Sequence, residues 1–387
     1  MKRLIAALLI APLVALPARA AAPESFVPPE SFTPTAPIAL MVDMSSGETL
    51  FSRQPHRRFV PASLTKIMTA FVAFELIDAG KLDPGQHFTM SHEAFRKWHG
   101  VGSTLFLGDG PSTSVEDLLT GIVTVSANDG CVVLAEGIAG SVPRFTAMMN
   151  AKARELGMVD SHYNTPNGWM DEGQTYVSAA DLVKLTRALI TRHPALYRHY
   201  FGHAMMIHDG IEQRNHNPLY GYVEGADGVK TGFTNQAGFG FVGSAERNGR
   251  RLVMVLAAMD GESHRRTESR QFMEWGFSAW QARPLVEQGA VIGDARVQGG
   301  VARSVSLVAP RRYFTTMPMG QAAKPVVTFR YKGPLRAPIA KGQEVAALVV
   351  REPGRPEAIL PLVAGEAVGK GGALARVRDG MLAVFGT

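Results

Sequence analysis

Cysteine is nearly absent: Cys131 is the single one in 387 residues. An intramolecular disulfide has no second partner, and a thiolate metal cluster within one chain is excluded. Charged residues are sparse, at 19% against 46% hydrophobic, while 40 Gly and 24 Pro follow no repeat. That balance excludes a disordered or collagen-like chain and promises a folded protein with many turns. No RNA- or DNA-binding motif is present, so nucleic acid is excluded as a partner. Eleven His residues include no His-x-x-x-His with the Glu of a zinc peptidase, so no metal and no other cofactor is expected. Catalysis must rest on ordinary side chains.

Long apolar runs are confined to the start. Lys2 and Arg3 precede a stretch from Leu4 to Leu16, followed by Ala18-Arg19-Ala20. This is the pattern of a secretory signal peptide over residues 1–20, with an apolar run too short and proline-broken to span a membrane comfortably. Its removal lowers the formal net charge from +6 to +3 by taking away Lys2, Arg3 and Arg19. The remaining charge is uneven: acidic residues are in excess from Ala21 to Trp280, basic ones from Gln281 to Thr387. On an exported protein, a basic C-terminal half suits an anionic membrane or wall polymer, or simply a solvated surface.

Residues 21–37 hold five prolines and read as an extended tether. Ile38 to Met44 and Thr49 to Ser52 read as two strands around a turn. Ser63 to Ala79, apolar nearly all round and stopped by Gly80, predicts a helix buried mid-domain. Thr113 with Glu116 resembles a capping box for a helix to Thr124; Asp129 is a candidate cap for another to Ile138. Further helices are expected from Pro143 to Leu156, from Ala179 to Thr191 and from Arg266 to Trp280. Val229 to Thr234, Phe239 to Glu246 and Leu252 to Met259 read as strands. Strands at both ends with helices between predict an α+β domain over residues 38–281. Beyond it the period becomes two, with Val327, Phe329 and Tyr331 on one face, which predicts a small β-sandwich-like domain over residues 282–371. In residues 372–387, Leu374, Val377, Met381, Val384 and Phe385 share a helical face, the pattern of a short amphipathic membrane-lying tail.

Three short motifs carry candidate chemistry. Ser63 and Lys66 fall at i and i+3, one above the other on a helix. A neutral lysine can take the proton of a hydroxyl nucleophile if burial and a neighbouring cation lower its pKa from about 10.4. The same pair also suits a capping serine and a solvent-facing lysine. Ser126 and Asn128 stand at a helix break, suited to relaying a proton and holding a substrate amide, or to capping. Lys230-Thr231-Gly232 offers an ammonium, a hydroxyl and a glycine that lets a substrate backbone approach, or an edge-strand guard against aggregation.

Occurring together and in this order, the motifs resemble those of penicillin-binding proteins and β-lactamases. Pro61-Ala62-Ser63-Leu64-Thr65-Lys66-Ile67-Met68-Thr69-Ala70 resembles the nucleophile segment of the low-molecular-mass penicillin-binding proteins that are serine D-alanyl-D-alanine carboxypeptidases. Val125 to Asp129 and Asp227 to Gly232 are similar to that family's second and third motifs. The resemblance implies a transpeptidase-like fold with a helical cluster and antiparallel sheet, and removal of the terminal D-Ala from peptidoglycan pentapeptides in the periplasm. It also implies acylation by β-lactam antibiotics. It gives Ser63 the role of nucleophile, Lys66 that of base and Ser126 that of proton relay. Lys230 and Arg265 would attract the substrate carboxylate, and the N–H groups of Ser63 and Phe233 would form the oxyanion hole. Two positions depart from the family: Phe233 stands where many relatives have His, and His216 where many have Arg. His216 raises the expectation of a pH dependence near about 6 to 7. A D,D-endopeptidase on the same fold remains an alternative, as does a non-catalytic wall-binding protein. A β-lactamase is a weaker one, since no Glu-x-x-Leu-Asn loop lies between Asn128 and Lys230.

Overall fold

The computed structural model describes residues 32–320, 325–351 and 357–372. The expected signal peptide lies outside them, as do the first part of the tether and the tail from residue 373.

A five-stranded antiparallel sheet organises the first domain, in the order Thr49–Arg53, Ile38–Asp43, Arg250–Met259, Gly238–Arg247, Ala226–Thr234. Its central strand, RRLVMVLAAM, is apolar on both faces because both are covered. Leu252, Met254 and Leu256 pack with Met41 and Phe241 under the helix Glu262–Ser278, whose Phe272 meets Phe51 edge-on at 5.5 Å. Val253 and Val255 belong instead to the larger core shared with the helical cluster. At the heart of that cluster runs Lys66–Asp78, buried from Lys66 through Phe74, as its all-round apolar sequence requires. The first motif therefore begins a helix with almost no solvent-facing side, and its polar groups must find partners inside.

Several expected boundaries move, each for a local reason. Ser63 lies in a 3-10 turn, Ala62–Thr65, that precedes the α-helix. The cap of the helix Val115–Thr124 is Ser114, whose Oγ accepts from the Asp117 N–H at 3.0 Å, because the helix starts one residue later than a Thr113 cap requires. Asp129 is not the N-cap, which is Ala127 with no side-chain bond; it lies inside the helix Asn128–Ala139, and its carboxylate accepts the N–H groups of Leu105 and Leu107 as well as that of Gly130 in its own first turn. The closing helix starts four residues earlier than expected, at Glu262, and Trp280 passes into a strand. The described end of the tether, residues 32–37, is docked: the Thr35 and Ala36 N–H groups both donate to Glu268 at 2.8 Å, and the Phe32 ring centroid lies 6.1 Å from that of Phe272.

The second domain is β-rich, a six-stranded sheet plus a ribbon of Trp280–Val286 with Tyr313–Pro318. Its core includes Val305, Leu307, Leu348, Val350, Leu360 and Leu362. Val326–Arg330, which carries the period-two pattern, is an edge strand exposed throughout. The two domains meet at Asp43, fully buried, which accepts from Arg250 Nε at 2.7 Å and from Thr316 Oγ1 at 2.8 Å. Arg250 extends the junction by donating to the carbonyls of Gly276 and Trp280.

Candidate active site

The three motifs converge where the sheet edge meets the helical cluster. Lys66 is completely buried, and its Nζ donates to Ser63 Oγ at 2.8 Å, Asn128 Oδ1 at 2.8 Å and the Asn167 carbonyl at 2.9 Å. Asn128 Nδ2 donates to the Val101 carbonyl at 2.9 Å, which fixes the amide with its oxygen toward the lysine. Three acceptors suit an ammonium. With the proton gone, Asn128 Oδ1 and Asn167 O still take the two remaining N–H bonds, which leaves the lone pair facing the Ser63 hydroxyl. The geometry thus orients a base, and Ser63 becomes the donor across the same contact.

Burial lowers the Lys66 pKa from 10.5 to about 8, against the opposing pull of the Asp129 carboxylate. Lys230, also buried, is held well below its ordinary value, first by burial and then by the Lys66 charge. Burial raises Asp129, and it pushes the Cys131 thiol up to about 12, which leaves that side chain inert. His216 lies below its ordinary range through burial and the charges of Lys230 and Arg265. The pH sensitivity near neutrality expected of His216 is therefore displaced to the acid side.

Ser63, Ser126, Asn128, Thr231, Gly232, Phe233 and Arg265 all line one cavity of about 430 Å³. Ser126 is held in the left-handed region at φ 68°, as is Ala62 at φ 49° immediately before the nucleophile. Strained non-glycine residues of this kind persist where the surroundings over-determine them, often at functional sites. Lys230 lies behind the cavity wall, its Nζ donating to the Thr231 carbonyl at 3.2 Å. Arg265, in the first turn of its helix, is 6% exposed, and its Nε has no partner among the described residues.

Glycine at 232 has a reason other than substrate approach. A Cβ there would come within 2.7 Å of the Pro61 carbonyl oxygen and 3.2 Å of the Leu64 nitrogen, so the strand lies directly against the nucleophile turn. Gly168 is tighter: at φ +75°, its Cβ would fall 1.8 Å from the Ala62 oxygen. This brings in what motif reading missed, the loop with Asn167, Trp169 and Met170, which closes the cavity and supplies the lysine's third acceptor. Pro166-Asn167-Gly168 inside a long loop was the available signal, since such loops often carry function.

Residues 25–262 match the family described as D-alanyl-D-alanine carboxypeptidase, and residues 280–370 match the C-terminal domain of penicillin-binding protein 5. The chain is 34% identical to the D-alanyl-D-alanine carboxypeptidase DacD of Salmonella typhimurium, over 94% of each chain. Penicillin-binding protein 5 from Haemophilus influenzae is similar in structure, with a TM-score of 0.70 at 32% identity, over 89% of this chain and 100% of that one. Penicillin-binding protein D2 from Listeria monocytogenes, solved in an ampicillin-bound form, superposes on 64% of this chain and 99% of its own, with a TM-score of 0.58 at 28% identity. These likenesses agree with the contact between Ser63 and the buried Lys66: the chain belongs to the D-alanyl-D-alanine carboxypeptidase family, serine-type penicillin-binding proteins that act on peptidoglycan.

Proposed function

We propose that this enzyme removes the terminal D-Ala from peptidoglycan pentapeptides through an ester on Ser63, and that β-lactams acylate the same oxygen. The observation that carries the reading is the 2.8 Å contact between Ser63 Oγ and a lysine whose pKa burial has lowered to about 8. Lys66 takes the hydroxyl proton as Ser63 Oγ bonds to the carbonyl carbon of the penultimate D-Ala. The N–H groups of Ser63 and Phe233 stabilise the oxyanion, where one donor is typically worth about 100- to 1000-fold in rate. Ser126 passes the proton to the departing amine as the C–N bond breaks, and water then hydrolyses the ester. Thr231 and Arg265 receive the carboxylate of the leaving residue, Arg265 through a planar fork suited to it, and Lys230 adds positive potential from behind the cavity wall. Asn128 positions Lys66 and borders the substrate path.

The catalytic unit in this reading is residues 38–281, followed by the β-rich unit 282–371, with residues 1–20 removed on export to the periplasm. Incubation with pentapeptide muropeptides should release free D-Ala and leave tetrapeptides, and Ser63→Ala should lose both this release and labelling by fluorescent penicillin. Cleavage of cross-linked dimers in place of pentapeptide tails would assign an endopeptidase, and labelling of the Ser63→Ala protein would remove the nucleophile from its role.

A further inference from the structure

We propose that Phe233 and Phe239 form a side-chain subsite for the leaving residue, so that the enzyme accepts terminal D-residues with apolar side chains larger than methyl. This rests on the carboxypeptidase reading of the cleft. Phe233 and Phe239 stand directly opposite in the register of neighbouring strands, and their rings stack with centroids 4.2 Å apart at 27°. The Arg265 guanidinium lies over the Phe239 ring at 5.3 Å. Despite this stacking Phe233 is 48% exposed, and the exposed ring borders the same cavity as Ser63, Thr231 and Arg265. An apolar face is thus kept in water inside a cleft, a surface that gains when a ligand covers it.

Its position selects which part of the substrate does so. Thr231 and Phe233 alternate onto the same face of their strand, one pleat repeat apart. With the leaving carboxylate held at Thr231 and Arg265, the side chain of that residue branches from the carbon bearing the carboxylate. It is therefore the substrate group nearest the aromatic pair. Glu262 borders the cavity too, 3.6 Å from Arg265, and sets a negative charge against acidic leaving residues. The subsite takes an aliphatic or aromatic side chain and disfavours a polar one of equal size, whose hydrogen-bonding groups would face a ring.

The test uses the full-length protein and tripeptides of the form acyl-Lys-D-Ala-D-Xaa, with Ala, Leu or Asn as the last residue. Leu and Asn have comparable size and opposite polarity. In the wild type, kcat/KM for the Leu peptide should exceed that for the Asn peptide by about tenfold, the low end for an apolar contact because the ring is half exposed. Phe233→His and Phe233→Ala should each bring that ratio to within about threefold of one. A wild-type ratio near one overturns the subsite, as does a ratio unchanged in either variant that still takes fluorescent penicillin. Should neither variant fold, the wild-type ratio decides alone. Failure of the underlying reading looks different: no D-residue, including D-Ala, is then released.

Discussion

The rate of acylation by a fluorescent penicillin should follow the deprotonation of Lys66. Lowering its pKa from 10.5 to about 8 costs the ammonium form about 3 kcal/mol, at about 1.4 kcal/mol per pH unit. The consequence for the base is large. At pH 7 roughly one Lys66 in ten is neutral, whereas at the ordinary value it would be roughly one in three thousand, a gain of about 300-fold in competent enzyme. The sign follows from the charge: the neutral amine is the active form, so rate rises with pH, close to tenfold per unit well below 8, and levels above it. Stopped-flow labelling from pH 6 to 10 reads this directly. His216 titrates below its ordinary range, so Phe233 and Ser63 remaining intact, His216→Gln should leave the midpoint near 8 in place. A rate flat from pH 6 to 9, or a midpoint that disappears with His216, would refute Lys66 as the base.

Two further outcomes are expected. Gly168→Ala places a carbon 1.8 Å from the Ala62 oxygen at a φ of +75°, so the protein should lose about 3 kcal/mol or more of stability, or the loop should withdraw and acylation fall at least about 100-fold; unchanged melting and labelling would show that the contact is dispensable. Deletion of residues 372–387 should reduce a salt-sensitive association with anionic liposomes while leaving cleavage of a small soluble peptide nearly unchanged, because basic charge and an amphipathic face act together at such surfaces; equal low-salt recovery of both forms in the supernatant would rule the tail out as an anchor.

What the sequence reveals depends on whether a role is played by side chains in local register. Ser63 and Lys66 are legible because three residues of helix bring them together, and Lys230-Thr231-Gly232 because its residue types are uncommon in combination. Asn167 serves Lys66 through a backbone carbonyl, a group every residue possesses, so no composition marks it. Asp129 reads as a cap because it stands at a helix start, yet the segment Leu105 to Leu107 offers it N–H groups from 24 and 22 residues away, a choice only tertiary packing makes. The early start of the helix at Glu262 was hidden because Gly261 caps without a side-chain bond. Pattern likewise gave the β-rich second domain, but not that the edge strand carrying the pattern is exposed on both faces.

The absence of a Cβ at 168 and 232 bears on how this enzyme could escape an antibiotic. Both backbones touch the nucleophile turn itself, so a mutation that narrows the cleft from either side displaces Ser63 for substrate and drug alike. Resistance by steric exclusion has no cheap starting point there. It must instead begin at the outer rim, where Phe233 and Met170 are each 48% exposed and a change of side chain leaves the reacting atoms where they are.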